Sequence, residues 1–257
     1  MTFLQDFLSL IAGAMVIFVA KDRAVFAAVL AAGLGLAGLC WWACSVYSHL
    51  WNKRFKVGLV HHVMCGLAAL ITLVATVVFV TLKHTAAAAG ISVEAWKIEL
   101  GLDKSWADQT FKTAYDRVRI LGLEDFSHAP PPPSGSTIPA THEKSQIECA
   151  WTYAGAAANH FNLRRPYLAS IASASANIPR DVLRDDIRQH FATIGNTYPT
   201  NKAITLVGRE VKGELGKKLP RVVSILRIQL IAFFLACQLI PFGLVGWAAY
   251  RDLKART

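Results

Sequence analysis

The sequence predicts an all-α integral membrane protein with four transmembrane helices and a helical extramembrane domain inserted between the third and the fourth. Three observations lead to this fold class. Of the 257 residues, 54% are hydrophobic and 17% are charged, a mixture too apolar for an ordinary soluble domain. Four apolar runs are long enough to enter or cross a hydrocarbon core of about 30 Å. Residues 83–221, between the last two runs, are polar and have helical rather than strand periodicity.

Residues 1–82 are predicted to form the first three spans. Their expected limits are about 4–20, 24–50 and 57–82. The first span is the shortest, and we expect it to form a hairpin with the second. In the second span Ala27, Ala31 and Gly35 recur every four residues and therefore share one helical face. Because small side chains let helices approach closely, this face is predicted to pack on the third span or on a partner protein.

Residues 83–221 are predicted to be a helical periplasmic domain, divided by a proline-rich linker at residues 129–139. Before the linker, one helix is expected to end at Gly101, and a second to run from a capping box at Ser105 and Asp108 to Gly122. After the linker we expect a third helix up to Asn162. A fourth helix capped by Asn177 and a fifth running from Lys202 towards the last span should follow.

Residues 222–257 are predicted to contain the fourth transmembrane helix, at about 228–250, followed by a short basic cytoplasmic tail. Pro241 lies near the middle of this span. Because proline lacks a backbone N–H and clashes with the preceding turn, we expect a membrane kink or a close helix contact at Pro241.

Basic residues beside the apolar runs predict the orientation. Lys53, Arg54 and Lys56 follow the second span, and Arg251, Lys254 and Arg256 follow the fourth. The positive-inside rule then predicts a multi-pass protein of the bacterial inner membrane, with both termini cytoplasmic and the domain in the periplasm.

The remaining charge is not the pattern of a nucleic-acid-binding protein. The chain has a net charge of +10, but residues 83–227 carry 19 basic and 14 acidic side chains with no long run of one sign. This pattern is typical of a mildly basic solvated surface, so no direct contact with nucleic acid is expected.

The sequence contains no motif that indicates catalysis or a cofactor. His49, His61 and His62 are expected near one membrane interface, where imidazoles can bind a metal or haem iron or carry protons. The last span has no histidine to complete a haem site, and interfacial histidines without a cofactor are favoured. No HExxH, GxSxG, Walker or GxGxxG pattern is present. We therefore expect no enzyme, no cofactor and no metal.

Two segments resemble a known family. The first is TAYDRVRILGLEDF, from Thr113 to Phe126, which follows a stretch carrying Trp96 and Trp106. The second is the last span, with Arg227 before it, Pro241 and Gly246 within it, and residues 251–254 (RDLK) after it. Both are similar to small membrane proteins encoded in integrating conjugative elements. The resemblance implies a component of a conjugative, type IV secretion-like machine and brings no catalytic residues with it.

These observations lead to a functional hypothesis. The chain is expected to be a non-enzymatic structural component of a conjugative DNA-transfer or type IV secretion-like envelope assembly. Its expected partners are the membrane and other proteins of that complex, and homo-oligomerisation is left open. The alternative is a membrane-anchored sensor or regulator whose periplasmic domain binds a ligand and acts through a membrane partner.

Overall fold

The computed structural model describes residues 2–51, 58–123, 142–172, 185, 189 and 200–255. All regular structure in these ranges is helical, as the sequence predicts. Four helices are long and apolar enough to cross a membrane, judged by length and composition. The predicted linker at residues 129–139 and nearly all of the predicted fourth domain helix lie outside the described residues.

The structure describes eight α-helices in its described ranges. They are α1 (Phe3–Lys21), α2 (Arg23–Trp51), α3 (Leu59–Thr81), α4 (Thr85–Leu102), α5 (Lys104–Ile120), α6 (Glu143–Arg164), α7 (Pro166–Ala172) and α8 (Thr200–Lys254). A 3₁₀ turn, Leu82–His84, joins α3 to α4.

Helix α8 joins two predicted elements. The predicted fifth domain helix and the fourth span form one continuous helix of 55 residues, and Pro220 and Pro241 both lie inside it. Proline removes one backbone hydrogen bond but does not stop a helix whose flanking turns are held by packing. At Pro220 the carbonyl accepts a hydrogen bond from the Ser224 hydroxyl at 3.0 Å.

The chain divides into two compact units, and the division cuts through α1. The insert unit consists of Met1–Leu10 and Ala86–Leu219, and the bundle unit consists of Ile11–Thr85 and Pro220–Thr257. Only eleven residues of α1, Ile11 to Lys21, therefore belong to the bundle unit. At 1.5 Å per residue they extend about 16 Å, roughly half of a hydrocarbon core.

Within the bundle unit, α2 runs antiparallel to α3. Gly33 of α2 lies against Leu73 of α3. Farther along α2, Cys44 packs with Cys65, which comes earlier in α3 than Leu73, so the two helices run in opposite directions. Val245 of α8 joins Cys44 and Cys65 in a buried cluster.

Helix α8 is also antiparallel to α3. Arg227 lies over the Phe79 ring near the end of α3, whereas Gln238 reaches Thr72. The carboxyl-terminal half of α8 therefore crosses the bundle unit in the same direction as α2.

The insert unit has its own core of large side chains. Helices α4 to α8 all supply fully buried members of it, namely Val93, Trp96, Leu100, Val118, Tyr153, Phe161, Leu168 and Val207. Most of these residues lie on the apolar stripes that the 3.6-residue periodicity predicts, but Tyr153 and Leu168 do not. Burial of each large apolar side chain contributes about 1.5–3 kcal/mol.

The boundaries of α5 correct one prediction and support another. The helix is capped by Asp103, whose carboxylate accepts a hydrogen bond from the Trp106 amide at 3.0 Å, and not by Ser105. Aspartate accepts this bond as well as serine does, and Asp103 directly follows the end of α4. At the other end Gly122 has φ of +60°, and Leu123 donates to the Val118 carbonyl, which closes the helix as predicted.

Candidate functional site

A polar clamp joins α2, α3 and α8 in the bundle unit. The Gln238 amide nitrogen donates to the Ala68 carbonyl at 2.9 Å and to the Thr72 hydroxyl at 3.0 Å. The Cys40 thiol lies 3.8 Å from the Gln238 amide oxygen. A buried amide in an apolar bundle must find partners, so Gln238 fixes the axial register of α8 against α2 and α3.

A cluster of two thiols and one imidazole lies farther along the bundle. Cys44 and Cys65 are both fully buried, and the Cys65 sulfur is 3.6 Å from Nε2 of His61. Within the described ranges, no group of three or more His, Cys, Asp or Glu side chains is placed to hold a metal ion. The cluster therefore packs α2, α3 and α8 together through Val245 and shows no coordination geometry.

Two of the three interfacial histidines lie side by side, because the rings of His61 and His62 meet edge-on with centroids 5.9 Å apart. His61 is buried next to Cys65, and its neighbour His62 is exposed and stacks on Trp41, with ring centroids 6.1 Å apart. His49 is exposed on α2. Adjacent residues on a helix point in different directions, which accounts for the separate surroundings of His61 and His62.

The small-residue face of α2 is not the face that packs against α3. Ala27, Ala31 and Gly35 are all exposed, and a Cβ atom added at Gly35 would meet no atom within 4 Å. The contact with α3 is made instead at Gly33, where an added Cβ would lie 2.9 Å from Leu73. Of the two predicted partners for the Ala27, Ala31 and Gly35 face, α3 does not occupy it in the described part of the chain.

The residues of α2 that face α3 also form a regular pattern of small residues in the sequence. Gly33, Ala37, Cys40, Cys44 and Ser48 are spaced by four, three, four and four residues, so they share a face, and all are small. Two overlapping stripes of small residues run along α2, and spacing alone does not tell which of them meets α3.

Pro241 lies one turn beyond the clamp. It is buried inside α8, three residues after Gln238 and four before Val245. Because proline donates no hydrogen bond, the helix loses one bond next to the residue that ties α8 to α3. The predicted kink at Pro241 stays a prediction.

In the insert unit, a buried carboxylate fixes the amino-terminal segment to α7. Asp6 is 1% exposed, and its Oδ2 accepts hydrogen bonds from the amides of Tyr167 at 3.0 Å and Leu168 at 3.2 Å. Arg165 forms an ion pair with Oδ1 at 3.6 Å, and the rings of Phe3 and Phe7 meet Tyr167 edge-on. Asp6 therefore caps the first turn of a helix 160 residues away.

A second polar contact ties α4 to α6. The Trp96 indole nitrogen donates to Nδ1 of His160 at 3.0 Å, so this nitrogen is unprotonated and the other ring nitrogen carries the proton. Burial, together with the Arg164 cation, lowers the pKa of His160 below its ordinary value. The imidazole is held neutral as a hydrogen-bond acceptor for the Trp96 indole.

Helix α4 is apolar on two faces. One face carries the buried residues Val93, Trp96 and Leu100. The other is an exposed stripe of five apolar residues, which we call the α4 stripe: Ala87, Ile91, Ala95, Ile98 and Leu102. Its three large members are 61–77% exposed, and no described residue covers them.

Comparison with known proteins adds no assignment. No family model, no curated protein and no solved structure matches the chain.

Proposed function

We propose that the chain is a non-enzymatic structural component of a multiprotein assembly in the bacterial inner membrane, and that its insert unit is the docking module. The α4 stripe is the observation that carries this proposal. A helix with two apolar faces, one of them open, is typical of a surface that a protein partner covers. The exposed small-residue face of α2, at Ala27, Ala31 and Gly35, offers a second contact to a partner helix within the membrane.

The resemblance to proteins of integrating conjugative elements supports the kind of assembly. It points to a DNA-transfer or type IV secretion-like machine. The mildly basic surface of the insert unit gives no reason for direct contact with the transferred nucleic acid. The partners are therefore proteins and the bilayer.

The contacts of α1 favour three crossings rather than four. Asp6, near the start of α1, bonds to α7 in the insert unit. Asp22, directly after α1, lies 3.9 Å from His84, which ends the turn leading into α4 and the insert. One end of α1 therefore contacts α7, and the other contacts the turn that leads into α4, so we propose that α1 does not cross the membrane. The spans are then α2, α3 and the carboxyl-terminal half of α8.

With three crossings the amino terminus lies on the opposite side of the membrane from the one that four crossings predict. Three crossings put the amino terminus with the insert unit and put residues 52–57 with the carboxyl terminus. The basic groups at residues 53–56 and 251–256 are then both cytoplasmic, as the positive-inside rule requires, and the amino terminus is periplasmic.

Labelling of single cysteines in intact cells tests the topology. In a cysteine-free background, a membrane-impermeant reagent should label cysteines placed at Thr2 and Ser134 and should not label those at Asn52 and Thr257. If Thr2 is protected together with Asn52 and Thr257, α1 crosses the membrane and the four-span topology holds.

Photocrosslinking from the α4 stripe tests the docking function. A photoreactive amino acid at Ile98 should yield adducts with other envelope proteins or with a second copy of the chain. The same amino acid at Lys112, an exposed position on α5, is the control and should yield few. Adducts with lipid alone, or equal yields at both positions, would contradict the proposal. A ligand-dependent rise in the melting temperature of the full chain, without protein adducts, would favour the sensor instead.

A further inference from the structure

The bundle unit contains an open groove of about 400 Å³ between α2, α3 and α8. We call it the lateral groove. It is lined by Leu36 of α2, by Thr72, Ala75, Thr76, Phe79 and Val80 of α3, and by Leu230, Ile231 and Phe234 of α8. From Thr72 to Val80 the groove follows α3 over nine residues, which is about 12 Å along the helix axis.

The wall of the lateral groove is suited to hydrocarbon. Its only polar side chains are two threonines, and both hydroxyls bond to backbone carbonyls of α3, Thr72 to Ala68 and Thr76 to Thr72, each at 2.8 Å. An occupant that fills the groove therefore leaves no threonine hydroxyl without a partner.

Arg227 stands at one end of this apolar groove. Its guanidinium carbon lies 5.3 Å from the centroid of the Phe79 ring, which lines the groove, and it precedes Leu230 by three residues on the same face of α8. Its Nε atom is buried and has no hydrogen-bond partner among the described residues. A buried guanidinium donor requires an acceptor, and the groove wall supplies none.

The position of Arg227 along the bundle matches the level of lipid headgroups. Phe79 is within one turn of the end of α3, where the 3₁₀ turn begins. The cations Lys21, Arg23 and Lys83 lie at this same end of the bundle unit, with Asp22 as the acidic residue among them. This end of the bundle therefore favours an anion over a cation.

We propose that the lateral groove binds one anionic phospholipid, with the phosphate on Arg227 and an acyl chain in the groove. A partner helix would fill the apolar wall but would bring no anion to Nε, whereas a phospholipid carries an anion and a long hydrocarbon chain in one molecule. Arginine binds phosphate through several N–H groups at once, which suits the unpartnered donor.

Titration of the full-length protein with phosphatidylglycerol in a mild detergent, read by native mass spectrometry, tests the site. Arg227→Gln should weaken binding by at least about tenfold, because a charge-assisted hydrogen bond is lost. Arg221→Gln, which removes an exposed cation six residues earlier on α8, is the matched control and should change binding little. Equal losses in the two variants would show that surface charge alone holds the lipid.

A second pair of variants tests the contribution of the apolar groove separately from that of the Arg227 charge. Ile231→Trp should block the groove and weaken binding, whereas Ile228→Trp, at an exposed position outside the lining, should not. Unchanged affinity in Ile231→Trp would overturn the proposed path of the acyl chain. Circular dichroism and a single gel-filtration peak must first show that each variant is folded.

Two compounds, each of which contains only one part of the phospholipid, complete the test. Diacylglycerol with the same chains lacks the phosphate, and glycerol phosphate lacks the chains, so each should bind at least tenfold more weakly than phosphatidylglycerol. If diacylglycerol binds equally well, Arg227 plays no part. If glycerol phosphate binds equally well, the ligand is a free phosphate and not a lipid.

Discussion

Removal of the Asp6 carboxylate should release the amino-terminal segment from α7. In the structure this carboxylate accepts the amides of Tyr167 and Leu168 and pairs with Arg165. Loss of a helix cap costs about 0.5–2 kcal/mol, and a hydrogen bond to a charged group contributes about 1.5–3 kcal/mol. Since the two amides share one carboxylate oxygen, we expect Asp6→Ala to cost about 2 kcal/mol locally rather than the sum of two full bonds.

Hydrogen exchange at the two capped amides measures this cost directly. A local loss of about 2 kcal/mol corresponds to roughly thirtyfold faster exchange at Tyr167 and Leu168. Asp6→Asn keeps an oxygen acceptor but loses the charge, so exchange should accelerate by an intermediate factor. The full chain in detergent is the right sample because the segment and α7 are far apart in sequence.

Asp22→Asn is the control for the Asp6 variants. Asp22 also flanks α1, but its carboxylate lies 3.9 Å from His84 instead of at α7, and its side chain is partly exposed. It should leave exchange at Tyr167 and Leu168 unchanged. Equal exchange in Asp6→Ala and the wild type would refute the cap, and with it the main contact that places the start of α1 in the insert unit.

Three further predictions follow from the contacts of the two units. Gln238→Leu should lower the stability of the bundle by about 1 kcal/mol, since hydrogen bonds between membrane helices contribute roughly 0.6–1.7 kcal/mol each; steric trapping in bicelles measures this. Gly33→Leu should destabilise the bundle because the new side chain meets Leu73, whereas Gly35→Leu should leave the fold intact and weaken only recovery of partner proteins in pull-downs. The insert unit should lose thermal stability as the pH falls below about 6.5, because the pKa of His160 is lower in the folded than in the unfolded chain, and His160→Gln should reduce this pH dependence.

Each of these predictions has an outcome that contradicts it. Wild-type stability in Gln238→Leu would mean that the clamp makes no net contribution. Equal stability of the Gly33 and Gly35 variants would contradict the assignment of the packing face. At His160 the sign is fixed, because the unfolded chain takes up the proton first as the pH falls and is thereby favoured. A rise in stability between pH 7 and pH 5 would rule out a neutral imidazole bonded to Trp96.

The helices of the membrane segments were predictable from local composition. Residues 24–50 and 57–82 closely match α2 and α3, because a run of more than twenty apolar residues has few other structures available. The caps were less predictable. Ser105 and Asp103 are both good cap residues, and the choice between them depends on where α4 ends.

The packing faces were not predictable from the same patterns. In a soluble helix the apolar stripe marks the buried side, but a membrane helix is apolar all around. From the sequence, either small-residue stripe of α2 could therefore pack against α3. Only the position of Leu73 on α3 shows that Gly33 makes the contact. The same limit applies to Gln238, whose partners on α3 lie 166 and 170 residues away.

The sequence by itself determined that this is a helical protein with apolar segments of membrane length, because helix formation and transfer into lipid depend on residues close together in the chain. Only the tertiary structure decided that α1 is shared between the two units, that α8 continues through Pro220, and that Arg227 stands beside an apolar groove. These features depend on pairs of residues far apart in sequence, and their contact energies exist only once the helices have packed.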